Sequence, residues 1–363
     1  MKFLHCADVH LGGANGQERM MVFERMLDFC SQNGVQLVLI AGDLFDAPQV
    51  EGQVRRRAFA AMERHPDISV LIAAGNHDPN CAGGNYDGAL PGNVYVFGAQ
   101  WSCVSIAELN VRVWGASFAE QSAPRFIAPE RRVRQEDGVL ELGVLHGELV
   151  STNGHSDYRA VTQEEAARTQ VHYLALGHVH ERSGVMRMGR THGAYCGCLQ
   201  GAGFDEMGEK GAYLGNWDEN GLRISFVKLC GSMWQEAEVD VAGLGDTMHI
   251  AQEVSRLVTQ MQSHVRVRLV GEAAQAVDVP AVLRLVQEKE RDIRLEDETV
   301  VADYALLARE NTLRGAFVRR MLDRISEKEE NGEDAQTEKL ALRYGLAAFE
   351  GEVRTHVDRA DTH

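Results

Sequence analysis

Proline is scarce in this chain, 7 residues in 363, and no apolar stretch approaches the roughly 20 residues that a membrane-spanning helix needs. The best apolar runs, Val35 to Ala41 and Val70 to Ala74, have the length of strands. Membrane insertion and proline-rich or collagen-like architectures are therefore excluded. Basic charge is also lacking: 37 Lys and Arg stand against 53 Asp and Glu, a net charge of -16. Without a basic excess there is no general phosphate-binding surface, so any contact with nucleic acid has to be local. The 7 cysteines are odd in number and scattered from Cys6 to Cys230. They form no disulfide framework, and a reducing cytoplasm is the expected compartment. At the N-terminus, Met1-Lys2-Phe3-Leu4-His5-Cys6-Ala7-Asp8 places charge after too few apolar residues for a secretory leader, so the mature chain is expected to begin there.

What is present is ordinary globular material, 44% hydrophobic and 25% charged, in a length that suits two to three domains at about 150 residues each. Lys2 to Ala7 reads as a buried strand. Met20, Phe23, Met26, Leu27 and Cys30 then recur at helical spacing up to a stop at Asn33-Gly34. Val35 to Ala41 is a second strand, Val54 to Arg64 a helix and Ser69 to Ala74 a third strand, so the chain opens β-α-β-α-β. That alternation predicts parallel strands covered by helices. From Val94 to Lys228 the pattern turns strand-rich, and near Gly231 to Trp234 the texture shifts again. The expected division is 1–232, a small α+β domain over 233–305, and a helical tail over 306–363. The tail carries apolar stripes at Leu313, Phe317, Met321, Leu322 and Ile325, then at Leu340, Leu342, Leu346 and Phe349.

The chemistry sits where these strands end. Asp8 and His10 follow the first strand, Asp43 and Asp46 the second, and Asn76, His77 and Asp78 the third. Further on, Val139 to Leu145 runs into His146-Gly147, and Tyr173 to Leu176 into Gly177-His178-Val179-His180. Ligands of open α/β sheets bind beyond the carboxyl ends of the strands, so these groups should converge. In extended backbone, residues i and i+2 point the same way, which lets Asp8/His10 and His178/His180 each serve one centre. Seven O and N donors exceed one tetrahedral zinc and suit two divalent ions. Asp8, His10, Asp43 and His180 are expected on one ion and Asp43, Asn76, His146 and His178 on the other, with Asp43 bridging. The absence of cysteine from the set and its open positions favour Mn2+, with Fe or Zn as alternatives.

The order Asp-x-His, Gly-Asp-x-x-Asp, Gly-Asn-His-Asp, His-Gly and Gly-His-x-His resembles the calcineurin-like metallophosphoesterase superfamily. The flanks Phe3 to Gly12, Gly42 to Asp46 and Ala175 to His180, with the run Phe204-Asp205-Glu206 to Lys210-Gly211, look like its SbcD/YhaO-type DNA repair exonucleases. The resemblance covers residues 1 to 230 most firmly. It departs at Ala7, where that family usually has Ser or Thr, and at Tyr195-Cys196-Gly197-Cys198, where it commonly has Tyr-Pro-Gly-Ser. The fold implied is a sandwich of two mixed β-sheets flanked by helices, an α/β fold with a cap domain and a tail.

The implied activity is metal-dependent hydrolysis of phosphodiester bonds in DNA. The implied partners are DNA and a coiled-coil ATPase of the SbcC or YhaN kind that docks on the tail, and dimers are usual for the class. His77, beside a ligand but not assigned to a metal, is the candidate proton donor to the leaving alkoxide, with Asp46 expected to hold its other ring nitrogen. Asp78 is expected either to support the ligands from behind or to shape the turn. His5, His155, His172 and His192 are read as ordinary structural histidines, with a place near the site as the alternative for His192, and Cys196 and Cys198 as small packing residues, with a redox pair as the alternative. Arg182, Arg187 and Arg190, and Arg131, Arg132 and Arg134, could touch phosphates or form a solvated face, and Arg55, Arg56 and Arg57 are read as a solvated face. The competing functional readings are a small-substrate phosphodiesterase or phosphatase of the same superfamily, and a non-catalytic adaptor for the ATPase.

Overall fold

The computed structural model describes residues 1–128, 138–242, 244, 246–273, 275–286, 292–301 and 303–350. Arg131, Arg132 and Arg134 lie outside the described residues. The chain divides into two compact units, Met1–Trp234 and Gln235–His363.

In the first unit the strands are β1 (Lys2–Cys6), β2 (Leu37–Ile40), β3 (Ser69–Ile72), β4 (Val94–Val96), β5 (Ser102–Ile106), β6 (Val111–Ala116), β7 (Leu140–His146), β8 (Glu148–Val150), β9 (Ala160–Thr162), β10 (Tyr173–Gly177), β11 (Met186–Met188), β12 (Thr191–Tyr195), β13 (Gly211–Asp218) and β14 (Gly221–Lys228). One six-stranded sheet has the order β14-β13-β1-β2-β3-β4 and the other β11-β12-β10-β7-β6-β5. Each has a parallel run: β1 to β4 in the first, and β6, β7, β10 and β12 in the second. Antiparallel strands complete both, so the sheets are mixed.

Burial on both faces explains why these strands read as continuous apolar runs. Phe3, Leu37, Leu39 and Leu71 point into a core shared with Val113, Leu142, Val144, Tyr173 and Ala175 of the facing sheet. Their neighbours Leu4, Cys6, Val38, Ile40, Val70 and Ile72 point outward to helices α1 (Gly16–Gln32) and α2 (Gly52–Glu63). Helix α1 buries Met20, Phe23, Met26, Leu27 and Cys30, the stripe expected from the sequence. The short strands β5, β8, β9, β11 and β12 carry no clear alternation, and the sequence does not announce them individually.

A polar staple lies between the sheets. His5 is fully buried; its Nδ1 accepts from the Tyr173 hydroxyl at 2.9 Å and its Nε2–H donates to the Leu176 carbonyl at 3.1 Å. This is the hydrogen-bonded core histidine expected from the sequence. His172 is structural too, its Nδ1 accepting from the Glu141 amide. His155 is exposed. His192 is exposed on β12 and pairs with the first residue of β10, at the opposite end of that strand from the ligand candidates.

In the second unit, β15 (Trp234–Asp240), β16 (His264–Val270) and β18 (Asp292–Asp297) form a three-stranded sheet, and β17 (Glu272–Ala273) pairs with β19 (Val300–Val301). One face of β16 packs Val265, Val267 and Leu269 against helix Thr247–Val258. On its other face Arg266 and Arg268 bind Glu236, Glu238, Glu296 and Glu298. Helices Leu313–Glu330 and Gln336–Glu350 pack on each other through Val318, Met321, Ile325, Leu342 and Leu346. Leu313, Leu340, Tyr344 and Phe349 stay exposed. Among the described residues no helix is long and apolar enough to cross a membrane.

Candidate metal centre

The carboxyl ends of β1, β2, β3, β7 and β10 meet, and all seven sequence-predicted ligand candidates lie there. The sheets approach so closely that a Cβ on Gly177 would stand 1.8 Å from the Ala41 carbonyl oxygen, and one on Gly42 would stand 2.1 Å from His146 Nδ1. Glycine at these two positions is a steric requirement.

The mechanism of convergence differs from simple strand alternation. Asp8, His10, Asp43 and His178 have φ of 51°, 50°, 50° and 101°, in the left-handed region that non-glycine residues seldom occupy. Strand β1 has already ended at Cys6. The side chains of Asp8 and His10 therefore meet through two left-handed residues beyond the strand end, and not because extended backbone aligns i with i+2. These conformations are held from outside. The Asp8 amide donates to the Gly42 carbonyl, His10 to Asp43 and Leu11 to Leu44, at 3.1, 2.9 and 2.9 Å.

The imidazoles are oriented by what binds their outer nitrogens. His146 Nδ1–H donates to the Ala41 carbonyl at 2.8 Å, turning Nε2 to within 2.9 Å of Asn76 Oδ1 and 3.3 Å of Asp43 Oδ2. His10 Nδ1–H donates to Asp46 at 2.8 Å, and its Nε2 faces His180 Nε2 at 3.2 Å and Asp43 at 3.9 Å. His180 Nδ1–H donates to Glu206, and its Nε2 lies 3.8 Å from Asp8. Asp8, His10 and His180 thus form one compact group, and Asp8, Asp43 and His146 a second. His178 stands edge-on to His146, ring centroids 5.3 Å apart, while its backbone amide donates to both Asp8 oxygens at 3.1 and 3.2 Å.

Two placements revise the reading of the sequence. The Asp46 carboxylate, expected on His77, bonds His10 instead and lies 3.9 Å from His77 Nδ1. His77 Nδ1–H donates to the Asp46 carbonyl at 3.2 Å, and the ring, 46% exposed, faces solvent. The role of Glu206 is not legible in the sequence, because a glutamate 26 residues beyond His180 shares no strand end with it. Arg19, buried at 4% exposure, donates to the His10 carbonyl and lies 3.7 Å from Glu206. Asp78 ties the second and third loops together by accepting from the amides of Gly75 and Phe45 and from the Tyr86 hydroxyl.

The arginine groups resolve unevenly. Arg55 donates to the carbonyls of Asn85 and Asp87, and Arg57 pairs with Glu24. Arg182 stacks over the Phe226 ring at 3.9 Å, and Arg187 and Arg190 are exposed. Cys196 and Cys198 are buried and free, and burial pushes the Cys198 thiol up to about 12, which fits packing rather than redox work.

The family of calcineurin-like phosphoesterases matches residues 1–182, half of the chain, over the segment that holds all seven ligand candidates. The chain belongs to the calcineurin-like phosphoesterases. It is 27% identical over 340 residues, 82% of each protein, to the uncharacterized metallophosphoesterase YhaO of Bacillus subtilis. It is 32% identical over 88 residues, 22% of each, to the SbcD component of the nuclease SbcCD of Rhodobacter capsulatus. Among solved structures, that of TT1561 of Thermus thermophilus aligns over 62% of this chain and 99% of that one, with a TM-score of 0.39 and 9% identity.

Calcineurin-like phosphoesterases hydrolyse phosphoester bonds at a dinuclear metal centre, and the donors here fit one. With Nδ1–H of His10 and of His180 committed to carboxylates, the two Nε2 lone pairs face each other, which only a cation or an extra proton between them makes favourable. Burial raises the pKa of Asp8 because its charge has too little compensation. Burial opposes a charge on His146 as well, yet the adjacent Asp43 carboxylate overrides it and lifts the imidazole to about 9. Burial likewise works against Asp43, and His146 and His10 hold it below the ordinary carboxylate range. The pocket therefore favours positive charge at the spot where the donor atoms converge. His178, lowered to about 4 by burial and by His146, keeps a neutral ring with a lone pair to offer.

Proposed function

We propose that this chain is a Mn2+-dependent DNA exonuclease, able also to nick single strands, that works with a coiled-coil ATPase of the SbcC or YhaN kind. Support comes from the nuclease component among its relatives and, above all, from His77, a half-exposed imidazole at the lip of the buried centre whose ring stands edge-on to His10 at 4.8 Å. In this reading Asp8, His10, Asp43 and His180 hold one ion and Asp43, Asn76, His146 and His178 the other. When bound, two divalent cations polarise the phosphodiester and make water nucleophilic at neutral pH for in-line attack.

The chain's own groups do the rest. The Asp46 carbonyl accepts the Nδ1–H of His77, so Nε2 is the nitrogen through which the ring, when it carries both protons, gives one to the departing alkoxide. Asp46 and Glu206, through their carboxylates, keep His10 and His180 in the tautomer that presents Nε2 inward. Asp78 holds the loops bearing Asp43 and Asn76 in register.

One observation favours the smaller-substrate reading. The arginines on the sheet of the second unit are engaged by its own glutamates, so that face adds little attraction for a polyanion. An end-labelled duplex and bis(p-nitrophenyl) phosphate, each assayed with Mn2+, separate the two. Cleavage of the aryl diester without loss of label from the duplex would overturn the nuclease reading. The exposed apolar side chains of the last two helices are the proposed docking surface for the ATPase. Truncation after Arg309 is expected to abolish ATPase binding and spare metal-dependent cleavage, and unchanged binding would refute the assignment.

A further inference from the structure

We infer that the carboxyl end of β6 carries a second binding site, apart from the metal centre, that takes a nucleoside monophosphate. An open pocket of about 620 Å³ lies there, within the size range of small-molecule sites, bordered by Trp101, Arg125, Phe126, Ile127 and Arg159. Ala116 and Ser117, at the end of β6, line it too, and none of the seven ligand candidates nor His77 does. On one side the wall is a ribbon of two paired segments, in which the amides of Ala123 and Phe126 donate to the carbonyls of Asp157 and Ala160 at 3.0 and 2.9 Å. Gln121 and Tyr158 of this ribbon border the pocket beside His77, whereas their neighbours Glu120, Ser122 and Arg159 border the second pocket. The ribbon thus presents one set of side chains to each cavity.

The charge of this pocket points to an anion. Arg159 sits at φ 53° and is buried to 5% exposure. Its guanidinium donates to the carbonyls of Ala116 and Ser117 at 2.6 and 2.7 Å and stacks over Phe118 at 4.6 Å. Among the described residues no carboxylate pairs with it, and burial lowers it to about 10 with no acidic group to offset the cost. A buried charge is ordinarily paired. Arg125 brings a second cation, and the one lining carboxylate, Glu120, is exposed. In a chain of net charge -16, such a local excess of positive charge selects for an anion. The rest of the wall is aromatic and aliphatic. Trp101 stacks on Trp114 at 6.3 Å and meets Phe126 edge-on at 5.2 Å, and its buried indole nitrogen finds no acceptor among the described residues. Ile127 beside it is 73% exposed. A planar ligand that carries hydrogen-bond acceptors complements this wall. A nucleoside monophosphate joins such a ring to a phosphate that two guanidinium groups can share.

The inference is independent of the chemistry at the metal centre, and its test separates the two sites. AMP, adenosine and inorganic phosphate are titrated calorimetrically, with Mn2+ present, into the full chain as wild type, Arg125→Ala, Ile127→Glu and Asp43→Ala. Wild type is expected to bind AMP at least about 10-fold more tightly than either adenosine or phosphate, because only AMP engages both walls. Arg125→Ala removes an exposed cation and should weaken AMP by about 5- to 10-fold, the range for one charge-assisted contact in partial contact with water, while leaving adenosine unchanged. Ile127→Glu sets a carboxylate on the wall at an exposed position and should weaken AMP in the same direction. Asp43→Ala removes the proposed bridging carboxylate of the metal centre and should keep the wild-type affinity for AMP. AMP binding no more tightly than phosphate, or unchanged AMP affinity in both pocket variants, would overturn the assignment. Loss of AMP binding in Asp43→Ala would do so too, by placing the ligand on the metals.

Discussion

Acid should weaken the first unit through His5, and the size of the effect follows from its surroundings. The ring is fully buried, with one nitrogen accepting from Tyr173 and the other donating to Leu176, so a second proton would cost a hydrogen bond and place an unpaired charge between two sheets. Burial, opposed only in part by the Leu176 carbonyl, takes its pKa from 6.5 to about 3. The unfolded chain then binds the proton more readily than the folded one. The stability that this residue contributes is complete above pH 6.5 and is lost progressively as pH falls toward 3. Between pH 7 and pH 5 the loss is about 2 kcal/mol, since each unit of pH below 6.5 is worth about 1.4 kcal/mol until the folded-state pKa is reached. For a unit of this size that corresponds to roughly 4–8 °C in melting temperature.

Other groups titrate over the same range, so the comparison needs the His5→Gln variant, which has nothing to protonate there. Its stability is expected to be below that of wild type at pH 7, and the gap should narrow by about 2 kcal/mol at pH 5. Urea unfolding followed by tryptophan fluorescence reads chiefly this unit, because three of the 4 tryptophans, at positions 101, 114 and 217, lie within it and the fourth, Trp234, stands at its boundary. A gap of the same size at both pH values would refute the account of His5.

The remaining expectations concern the centre itself. His77→Ala should lower kcat by roughly 10²- to 10⁴-fold, as for loss of a general acid, while metal analysis finds the wild-type content; an undiminished rate would remove His77 from the chemistry. Asp43→Ala should lose both ions, because its carboxylate faces both His10 and His146, and retention of one full equivalent would show that it does not bridge. Glu206→Gln keeps the shape but weakens the hold on His180 Nδ1–H, and should lower affinity for one metal by roughly 10- to 100-fold, read by titration with Mn2+.

Much of the site was legible because it follows from chain topology. Parallel strands whose ends carry Asp, His or Asn bring those residues together whatever the details, and Asp8, Asp43, Asn76, His146 and His180 are found there. What the sequence concealed depends on contacts between distant segments. Nothing local to Asp46 tells whether its carboxylate turns to His10 or to His77. Glu206 reaches His180 only through the fold of the loop that follows β12. Tyr158 stands before Arg159, whose buried guanidinium has carbonyl partners that no pattern announces. Similarly, Val38 and Leu39 are both apolar although they face different cores, so burial on two faces hid which residue served which. The short strands β8, β9 and β11 are held by pairing with neighbours more than by any alternation of their own.

The hydrogen bonds from Asp8 to Gly42, His10 to Asp43 and Leu11 to Leu44 continue the pairing of β1 with β2 past the point where both strands end. The two loops that carry most of the acidic donors are thereby zipped into one ribbon. An ion of different radius cannot spread them without breaking backbone hydrogen bonds, so adjustment falls to side-chain rotation alone. The ribbon acts as a gauge: it fixes the backbone spacing of Asp8, His10 and Asp43 before any metal arrives, so fit to that spacing as well as affinity bears on the choice among metals.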